Sequence, residues 1–314
     1  MNENKPAKTT SIGGQALIEG VMMRGKDKIS IAVRKPDGEI EVKTDPIKKT
    51  INIAFLKWPI IRGVVALISS MIIGVRALTY SAEFFVEGDG TEEKGKFETW
   101  LYAKMGKKAD DVLLAFSILF AFVFAMLLFG AAPTALVSLL KKFIDNSILL
   151  SAIEGVMKFV IFIVYILLIS QMKDIKRVFQ YHGAEHKTIH CYESGEEVTV
   201  ENARKFSTLH PRCGTSFMFF VLMISIIIFT FISWDSVMMR LLTKLLLFPV
   251  VAGLSFEMIK IAGKSTHPIV KILSYPGLMM QKITTSEPDD RQLEVAIVAF
   301  KCVLDETEVE PKCC

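Results

Sequence analysis

Long uncharged stretches of apolar residues constrain this chain more than any other feature of its sequence. Residues 112–129 are uncharged over 18 positions and residues 215–233 over 19. A helix needs roughly 20 mostly apolar residues to cross about 30 Å of hydrocarbon. The run 159–171 reaches that length if Glu154 and Lys158, four residues apart on one helix face, pair near an interface. We therefore predict four transmembrane helices, near 112–131, 152–171, 215–233 and 242–261.

The segment 59–80 is ambiguous. Its uncharged centre, residues 63–75, has only 13 positions and is bracketed by Arg62 and Arg76. We expect an interfacial or re-entrant helix here, or one buried in protein. A span in which both arginines snorkel toward the interfaces is the alternative.

The distribution of basic residues predicts the orientation. With four spans, residues 1–111, residues 172–214 and the tail from Glu257 share one side of the membrane, and they hold 32 of the 37 Lys and Arg residues. Positive charge concentrates in cytoplasmic segments. We therefore expect a multi-pass cell-membrane protein with both termini in the cytoplasm.

The composition agrees with a membrane protein that also has a large water-facing part, since 51% of residues are hydrophobic, 22% are charged and the mean hydropathy is +0.41. We predict a mainly α, polytopic membrane protein with about four transmembrane helices and a discontinuous cytoplasmic α+β domain containing a β-hairpin. The predicted parts are a cytoplasmic N-terminal segment with the hairpin (1–111), transmembrane helices 1 and 2 (112–171), a cytoplasmic His/Cys-rich loop (172–214), transmembrane helices 3 and 4 (215–261) and a cytoplasmic tail (262–314).

The net charge bears on the expected binding partners, and the cysteine content on the chemistry of the thiols. The net charge of +4 is dispersed, so we do not expect nucleic-acid binding; the lipid bilayer is the expected partner, with other membrane proteins left open. Five cysteines, mostly in predicted cytoplasmic segments, indicate thiols or metal ligands rather than disulfides.

Three water-facing segments have local patterns. Residues 29–43 alternate apolar and polar positions around a Pro-Asp-Gly turn, which predicts the β-hairpin. Apolar residues between 293 and 304 follow helical spacing, which predicts an amphipathic helix packed on the rest of the domain, with partner binding as the alternative. The glycine-rich segment 11–25 is interpreted as a structural turn, with Glu19 as a ligand or proton-transfer group in the sharper hypothesis.

The strongest chemical signal is a histidine-rich loop, in which residues 181–186 read Tyr-His-Gly-Ala-Glu-His. His182 and His186 are four apart and share one face if this stretch is helical, so both imidazoles can bind one zinc ion. Glu185 lies about 60° to the side, which suits a general base rather than a ligand. Because Gly183 lowers helix stability, a helix break near it is the alternative.

His210 and Cys213 form a second pair at the other end of the loop, in a turn with Pro and Gly. Imidazole and thiolate are both zinc ligands, and the two loop ends are both expected near the membrane surface. Four protein ligands would make a structural site, whereas three with an open position would make a catalytic one. A hydrogen-bonded polar cluster without metal is the alternative. Cys191 lies about 180° from His182 on the helical wheel and is not expected to join unless the helix ends before it.

With these motifs the chain resembles the bacterial YqhQ-like family, a group of uncharacterised integral membrane proteins formerly described as predicted metal-dependent enzymes. The matching stretches are Gly13–Arg24, Tyr181–Lys187, Tyr192–Glu193, Leu209–Ser216, Tyr275–Gly277 and Glu287–Asp290. The resemblance favours a site of His182, Glu185, His186, His210 and Cys213, with Glu19 as an outer candidate. It implies no particular reaction.

Two functions of different classes follow. The first is a membrane-embedded metal-dependent hydrolase with zinc on His182, His186 and one of His210 or Cys213, with Glu185 activating water, and with a substrate near the inner leaflet. The second is a non-catalytic scaffold or accessory factor, for example in membrane-protein insertion, in which a structural zinc site pins the cytoplasmic segments. Transport is weaker, because the charged residues predicted within the spans lie near their ends.

Overall fold

A computed structural model describes residues 12–47, 58–86, 108–232, 236–263 and 267–304, together with the single residues 10, 56, 100, 102, 104 and 106. Ser233, the last residue of the third predicted span, and residues 305–314 of the predicted tail lie outside them. The described chain is mainly helical, with a four-stranded antiparallel sheet near its N-terminus.

Each of the apolar runs lies largely within a helix in the described residues. These helices are α1 (Ile61–Val86), α2 (Lys108–Met126), a π-helical stretch (Leu127–Ala131), α3 (Ala132–Leu140), α4 (Ser147–Ile169), α7 (Gly214–Thr230) and α8 (Val237–Ala262). Among the described residues, four stretches are long and apolar enough to cross a membrane: Ile61–Phe85, Val112–Leu140, Ser147–Ile169 and Val237–Ala262.

This set differs from the sequence expectation in two places. The ambiguous segment 59–80 belongs to a helix of spanning length. The run 215–233 forms a helix of only 17 residues, because the chain leaves the helix after Thr230. At 1.5 Å per residue that helix is about 25 Å long, somewhat short of a 30 Å hydrocarbon layer.

The N-terminal sheet has the strand order β1 (Gly13–Leu17), β2 (Gly20–Arg24), β3 (Lys28–Arg34) and β4 (Ile40–Pro46). The predicted hairpin is confirmed as β3 and β4, with Ala32 opposite Val42 and Gly38 in the left-handed region at φ 92°. The glycine-rich segment, interpreted from sequence as a turn, instead forms a second hairpin, β1 and β2.

Helices cover both faces of this sheet. On one face lie α5 (Lys173–Glu193) and α10 (Asp290–Lys301), with a shared apolar core that includes Val21, Met23, Leu293 and Phe300. On the other face α1 packs on Leu17, Met22, Ile31 and Val33 through Ala77, with Ile73 and Tyr80 beside it. The short helix α6 (Val200–Ala203) and the helix α9 (Pro268–Thr284) complete the described elements.

The predicted tail helix is confirmed as α10. Asp289 begins it with a capping box, accepting a hydrogen bond from the Gln292 backbone N–H at 2.8 Å while the Gln292 side chain accepts from the Asp289 N–H at 3.0 Å. Leu293, Ala296 and Phe300 are fully buried, as expected for a helix packed on its own domain.

The first turn of α1 lies against α8. A Cβ on Gly63 would lie 3.0 Å from the Gly253 Cα, so the two backbones approach closely. Arg62 holds the carboxylate of Glu257 through two nitrogens, one of them at 2.6 Å from Oε1. Protein therefore covers α1 near its start and along the face toward the sheet, while Met71 on another face is exposed.

By its contacts the chain divides into two units. One comprises Met1–Phe85, Ile166–Ile224 and Pro249–Cys314 and holds the sheet; the other comprises Val86–Tyr165 and Ser225–Phe248.

The second unit contains a buried charge network. The carboxylate of Glu154 accepts hydrogen bonds from Arg240 at 3.0 Å, from Lys244 and from the Thr134 hydroxyl at 2.9 Å. The predicted pairing of Glu154 with Lys158 is not what the structure shows, because Arg240 and Lys244 of α8 occupy the two carboxylate oxygens. Lys158 is buried with its Nζ 5.3 Å from the centre of the Phe229 ring.

Candidate metal centre

Helix α5 places His182 and His186 on one face. Their rings lie one turn apart, with centroids separated by 4.5 Å. The helix runs unbroken through Gly183. Glycine is required at this position because the chain after α9 crosses the helix there, and a Cβ at Gly183 would lie 2.2 Å from the carbonyl oxygen of Ser286. The Ser286 N–H donates to the Phe179 carbonyl at 2.9 Å, which fixes this crossing.

Cys213 completes a three-residue group immediately before α7. Its Sγ lies 3.1 Å from His182 Nε2, and one ligand atom from each of His182, His186 and Cys213 falls within 4.8 Å of the others. The backbone N–H of Thr215, in the first turn of α7, donates to the sulfur at 3.4 Å. The sulfur therefore faces both imidazoles from a helix N-terminus.

Backbone carbonyls orient the two imidazoles. His182 Nδ1 donates to the Thr284 carbonyl at 2.9 Å, and His186 Nδ1 donates to the Thr208 carbonyl. Thr284 ends α9, where helix carbonyls lack intrahelical partners. Both rings are thus held in the tautomer that leaves a free electron pair on Nε2, as is usual for histidines that bind a metal.

The distances fit one zinc-sized ion. Nitrogen and sulfur ligands bonded at about 2.0–2.3 Å with a tetrahedral angle lie roughly 3.4–3.6 Å from each other. The His182–Cys213 separation is 3.1 Å and the whole group lies within 4.8 Å, so side-chain shifts of about 1 Å suffice.

Glu185 lies beside this group and is buried. Burial raises the pKa of its carboxyl, although the neighbouring His182 and the backbone N–H of Gly14 act in the opposite direction. The N-terminal hairpin must come very close to make this contact: a Cβ on Gly14 would lie 2.9 Å from Glu185 Cδ and 2.6 Å from the Met22 carbonyl oxygen. Glycine at position 14 is therefore what allows the sheet to close over Glu185.

His210, the fourth predicted ligand, lies next to the group but has other partners. Its ring centroid is 5.6 Å from that of His186, its Nδ1 accepts from the Arg212 N–H at 3.3 Å, and its Nε2 lies 3.6 Å from Glu193. Burial lowers the pKa of His210 to about 4. Burial would raise the pKa of Glu193, but hydrogen bonds from His210, the Thr10 N–H and Arg212 outweigh it and lower this pKa to about 2.

The other candidates have structural contacts. Cys191 lies on the far side of α5, as the wheel predicted, buried in the core beneath the sheet. Glu19, at φ 49° in the β1–β2 turn, forms an ion pair with Arg177 and accepts a hydrogen bond from the Tyr181 hydroxyl at 3.2 Å, so it links the sheet to α5. His267 caps α9, its Nδ1 accepting from the Ile269 N–H at 3.3 Å.

A cavity of about 830 Å³ opens beside the group. His182, Glu185, His186, His210 and Cys213 all line it. Further lining comes from the β1–β2 hairpin, from α1 and from the helices α7 and α8. The three-residue group therefore adjoins a space large enough for a small-molecule ligand.

Sequence reasoning missed the residues that support the site through the backbone. Gln281 is fully buried in α9; its Oε1 accepts from the His210 N–H at 2.7 Å and its Nε2 donates to the His210 carbonyl at 2.8 Å and to the Ser216 hydroxyl at 3.0 Å. A single amide among the apolar residues of α9 was the available signal. The carbonyls of Thr208 and Thr284 carry no side-chain signal at all.

Comparison with known proteins identifies the family. Residues 58–306 match the family described as "Protein of unknown function (DUF1385)". The chain is 36% identical over 298 residues to the "Uncharacterized protein YqhQ" of Bacillus subtilis (strain 168), covering 93% of this chain and 92% of that protein. No solved structure matches significantly. The chain therefore belongs to the DUF1385 family, which confirms the resemblance drawn from its motifs.

Proposed function

We propose that this member of the DUF1385 family is a membrane-bound, metal-dependent hydrolase, with zinc on His182, His186 and Cys213. The observation that carries the proposal is the combination of three convergent ligand atoms with an adjoining cavity that also contains a buried carboxyl group. Three protein ligands leave a zinc ion with an open coordination position, as in catalytic zinc sites.

The residues around the group have separable roles. Bound zinc would supply Lewis-acid chemistry, polarising a carbonyl or phosphoryl oxygen and making water more acidic. Glu185, held by the Gly14 N–H and facing the same cavity, would accept the proton of the attacking water and return it to the leaving oxygen. Thr208 and Thr284 would keep both imidazoles oriented.

The side of the membrane is part of the proposal. The sheet, α5 and α10 form one core, which places the N-terminal segment, the His/Cys loop and the tail together. These segments carry most of the basic residues, so we place the site and both termini in the cytoplasm, near the inner leaflet. The proposal then requires that α7 crosses the bilayer and that α1, which packs on the sheet, stays on the cytoplasmic side.

A non-catalytic scaffold with a structural zinc site is the second candidate. The observation in its favour is that the ligands join α5 to the start of α7, so that bound metal would hold two elements together. The two candidates differ in what Glu185 does.

The test compares full-length wild type with Glu185→Gln and Cys213→Ser, and with Glu196→Gln and Cys191→Ser as matched controls. Metal content, unfolding temperature and hydrolysis of fluorogenic 4-methylumbelliferyl ester and phosphodiester probes are measured. We expect Cys213→Ser to lose metal, and Glu185→Gln to keep metal and unfolding temperature while losing hydrolysis.

Three outcomes would contradict the proposal. Wild type without stoichiometric metal would refute both candidates. Metal-loaded wild type that hydrolyses none of the probes would favour the scaffold. A Glu185→Gln variant as active as wild type would refute the role of Glu185 as the general base.

A further inference from the structure

The cavity beside the metal group has two chemically different parts. Near His182 and Glu185 it is polar. Away from them it is lined by Ile73 of α1, Met218 of α7 and Phe256 of α8, all from the apolar helices. A ligand that fills the cavity must therefore carry a polar group and an apolar chain.

The hairpin adds a positive charge to this cavity. Residues alternate across β2, so that Val21 and Met23 pack toward α5 and α10, whereas Met22 packs toward α1. Arg24 follows the same alternation as Met22 and lines the cavity. Throughout the part of the chain that the structure describes, no hydrogen bond or ion pair engages the Arg24 side chain.

The second arginine that lines the cavity, Arg212, already has partners within the protein. Arg212 is occupied by the Glu193 carboxylate and donates to the Thr10 carbonyl at 2.6 Å. Arg24 is thus the guanidinium available to a ligand, and a guanidinium pairs most strongly with phosphate or carboxylate oxygens.

We propose that the cavity binds a phosphate-bearing membrane lipid, with its phosphate on Arg24, its acyl chain along α1, α7 and α8, and its carboxylic ester beside Glu185. Water adds to the ester carbon, the bond from that carbon to the glycerol oxygen breaks, and the proton taken up by Glu185 passes to the glycerol oxygen, so that a fatty acid and a glycerol phosphate leave. The proposal rests on the proposed hydrolase, of which it names the substrate class. Charge complementarity at Arg24 and the continuity of the lining with helices of membrane-spanning length select a lipid over a water-soluble phosphate ester.

Binding is measured by native mass spectrometry on delipidated full-length protein. The probes, at equal concentrations, are palmitoyl lysophosphatidic acid, monopalmitoylglycerol and glycerol 3-phosphate. The first has both chain and phosphate, and each of the others lacks one of them. Wild type is expected to retain lysophosphatidic acid at least about 10-fold better than either, since a hydrogen-bonded charged group is worth about one order of magnitude in affinity.

Two pairs of variants separate the phosphate from the chain. Arg24→Gln should weaken the binding of lysophosphatidic acid about 10-fold and leave the binding of monopalmitoylglycerol unchanged. Arg291 is an exposed arginine of α10 outside the cavity, so Arg291→Gln should behave as wild type. Ser70→Trp, which fills the cavity from α1, should weaken the binding of both lipids. Met71→Trp, at the exposed neighbouring position, should leave the binding of both unchanged.

The failures are distinguishable when metal is measured on the same samples. Stoichiometric metal together with equal retention of the two lipids, or with glycerol 3-phosphate bound as well as lysophosphatidic acid, would overturn the lipid substrate and leave the hydrolase. The expected lipid pattern in protein that holds no metal would overturn the hydrolase and leave the lipid site.

Discussion

Replacing Gly183 by alanine is a sharp test of how the site is built, because two effects of opposite sign meet there. In the middle of a helix, alanine is intrinsically favoured over glycine by about 1 kcal/mol. In this structure, however, the new Cβ would lie 2.2 Å from the Ser286 carbonyl oxygen, so the segment after α9 must move by about 1 Å to restore an ordinary contact.

The cost of that movement exceeds the helical gain. Overpacking of this kind costs about 1–3 kcal/mol, and the shift also strains the Ser286–Phe179 hydrogen bond, worth about 1 kcal/mol. The net destabilisation is about 2 kcal/mol, which corresponds to an unfolding temperature lower by about 6 °C. The carbonyl of Thr284 moves with the same segment, so His182 loses its orienting partner and metal affinity should fall about 10-fold or more.

The assay is thermal unfolding of purified full-length protein with and without chelator, together with titration of zinc against a competing chelator. Gly130→Ala is the control, because no atom of the described part of the chain lies within 4 Å of the Cβ it would add. A Gly183→Ala protein that is as stable as wild type, or more stable, and that binds zinc equally well would refute the close crossing of α5 and the chain after α9.

Two further predictions concern residues away from the metal group. At pH 8, maleimide should label the partly exposed Cys302 but not Cys191, because burial raises the pKa of the Cys191 thiol to about 11 and leaves a negligible thiolate fraction. Peptide mapping identifies the labelled cysteine, and rapid labelling of Cys191 in folded protein would contradict the prediction. Glu154→Gln removes the carboxylate shared by Arg240 and Lys244 and should lower the free energy of unfolding by about 3–5 kcal/mol, measured as a strongly lowered unfolding temperature or yield. Unchanged stability would contradict the buried network.

The parts of the fold that depend on local pattern could be predicted from the sequence. The apolar runs, the hairpin of β3 and β4 and the capped tail helix each carry their periodicity or turn residues within a few positions. The strands β1 and β2 could not be predicted in this way, because residues 13–24 are rich in glycine. They become strands because β2 pairs with β3, β1 pairs with β2, and both pack on α5.

The candidate metal site and the Glu154 network also divide into parts that local sequence spacing predicts and parts that depend on tertiary contacts. The four-residue spacing of His182 and His186 and the His210/Cys213 pair at the other end of the loop led to the prediction of a shared site, and the structure groups His182, His186 and Cys213 but not His210. The N–H of Gly14 and the carbonyls that orient the imidazoles are main-chain groups, which any residue type could supply. The partners of Glu154 depend on how α4 and α8 pack, and a single apolar run carries no information about that.

X-ray absorption at the zinc edge of purified full-length protein tests the central claim most directly, since it reports the atoms bound to the metal. The account predicts one stoichiometric zinc with a single sulfur at about 2.3 Å and the remaining ligands, nitrogen or oxygen, at about 2.0–2.1 Å. The sulfur signal should disappear in Cys213→Ser and persist in Cys191→Ser. A protein without bound metal, or a zinc site whose sulfur signal survives Cys213→Ser, would contradict it.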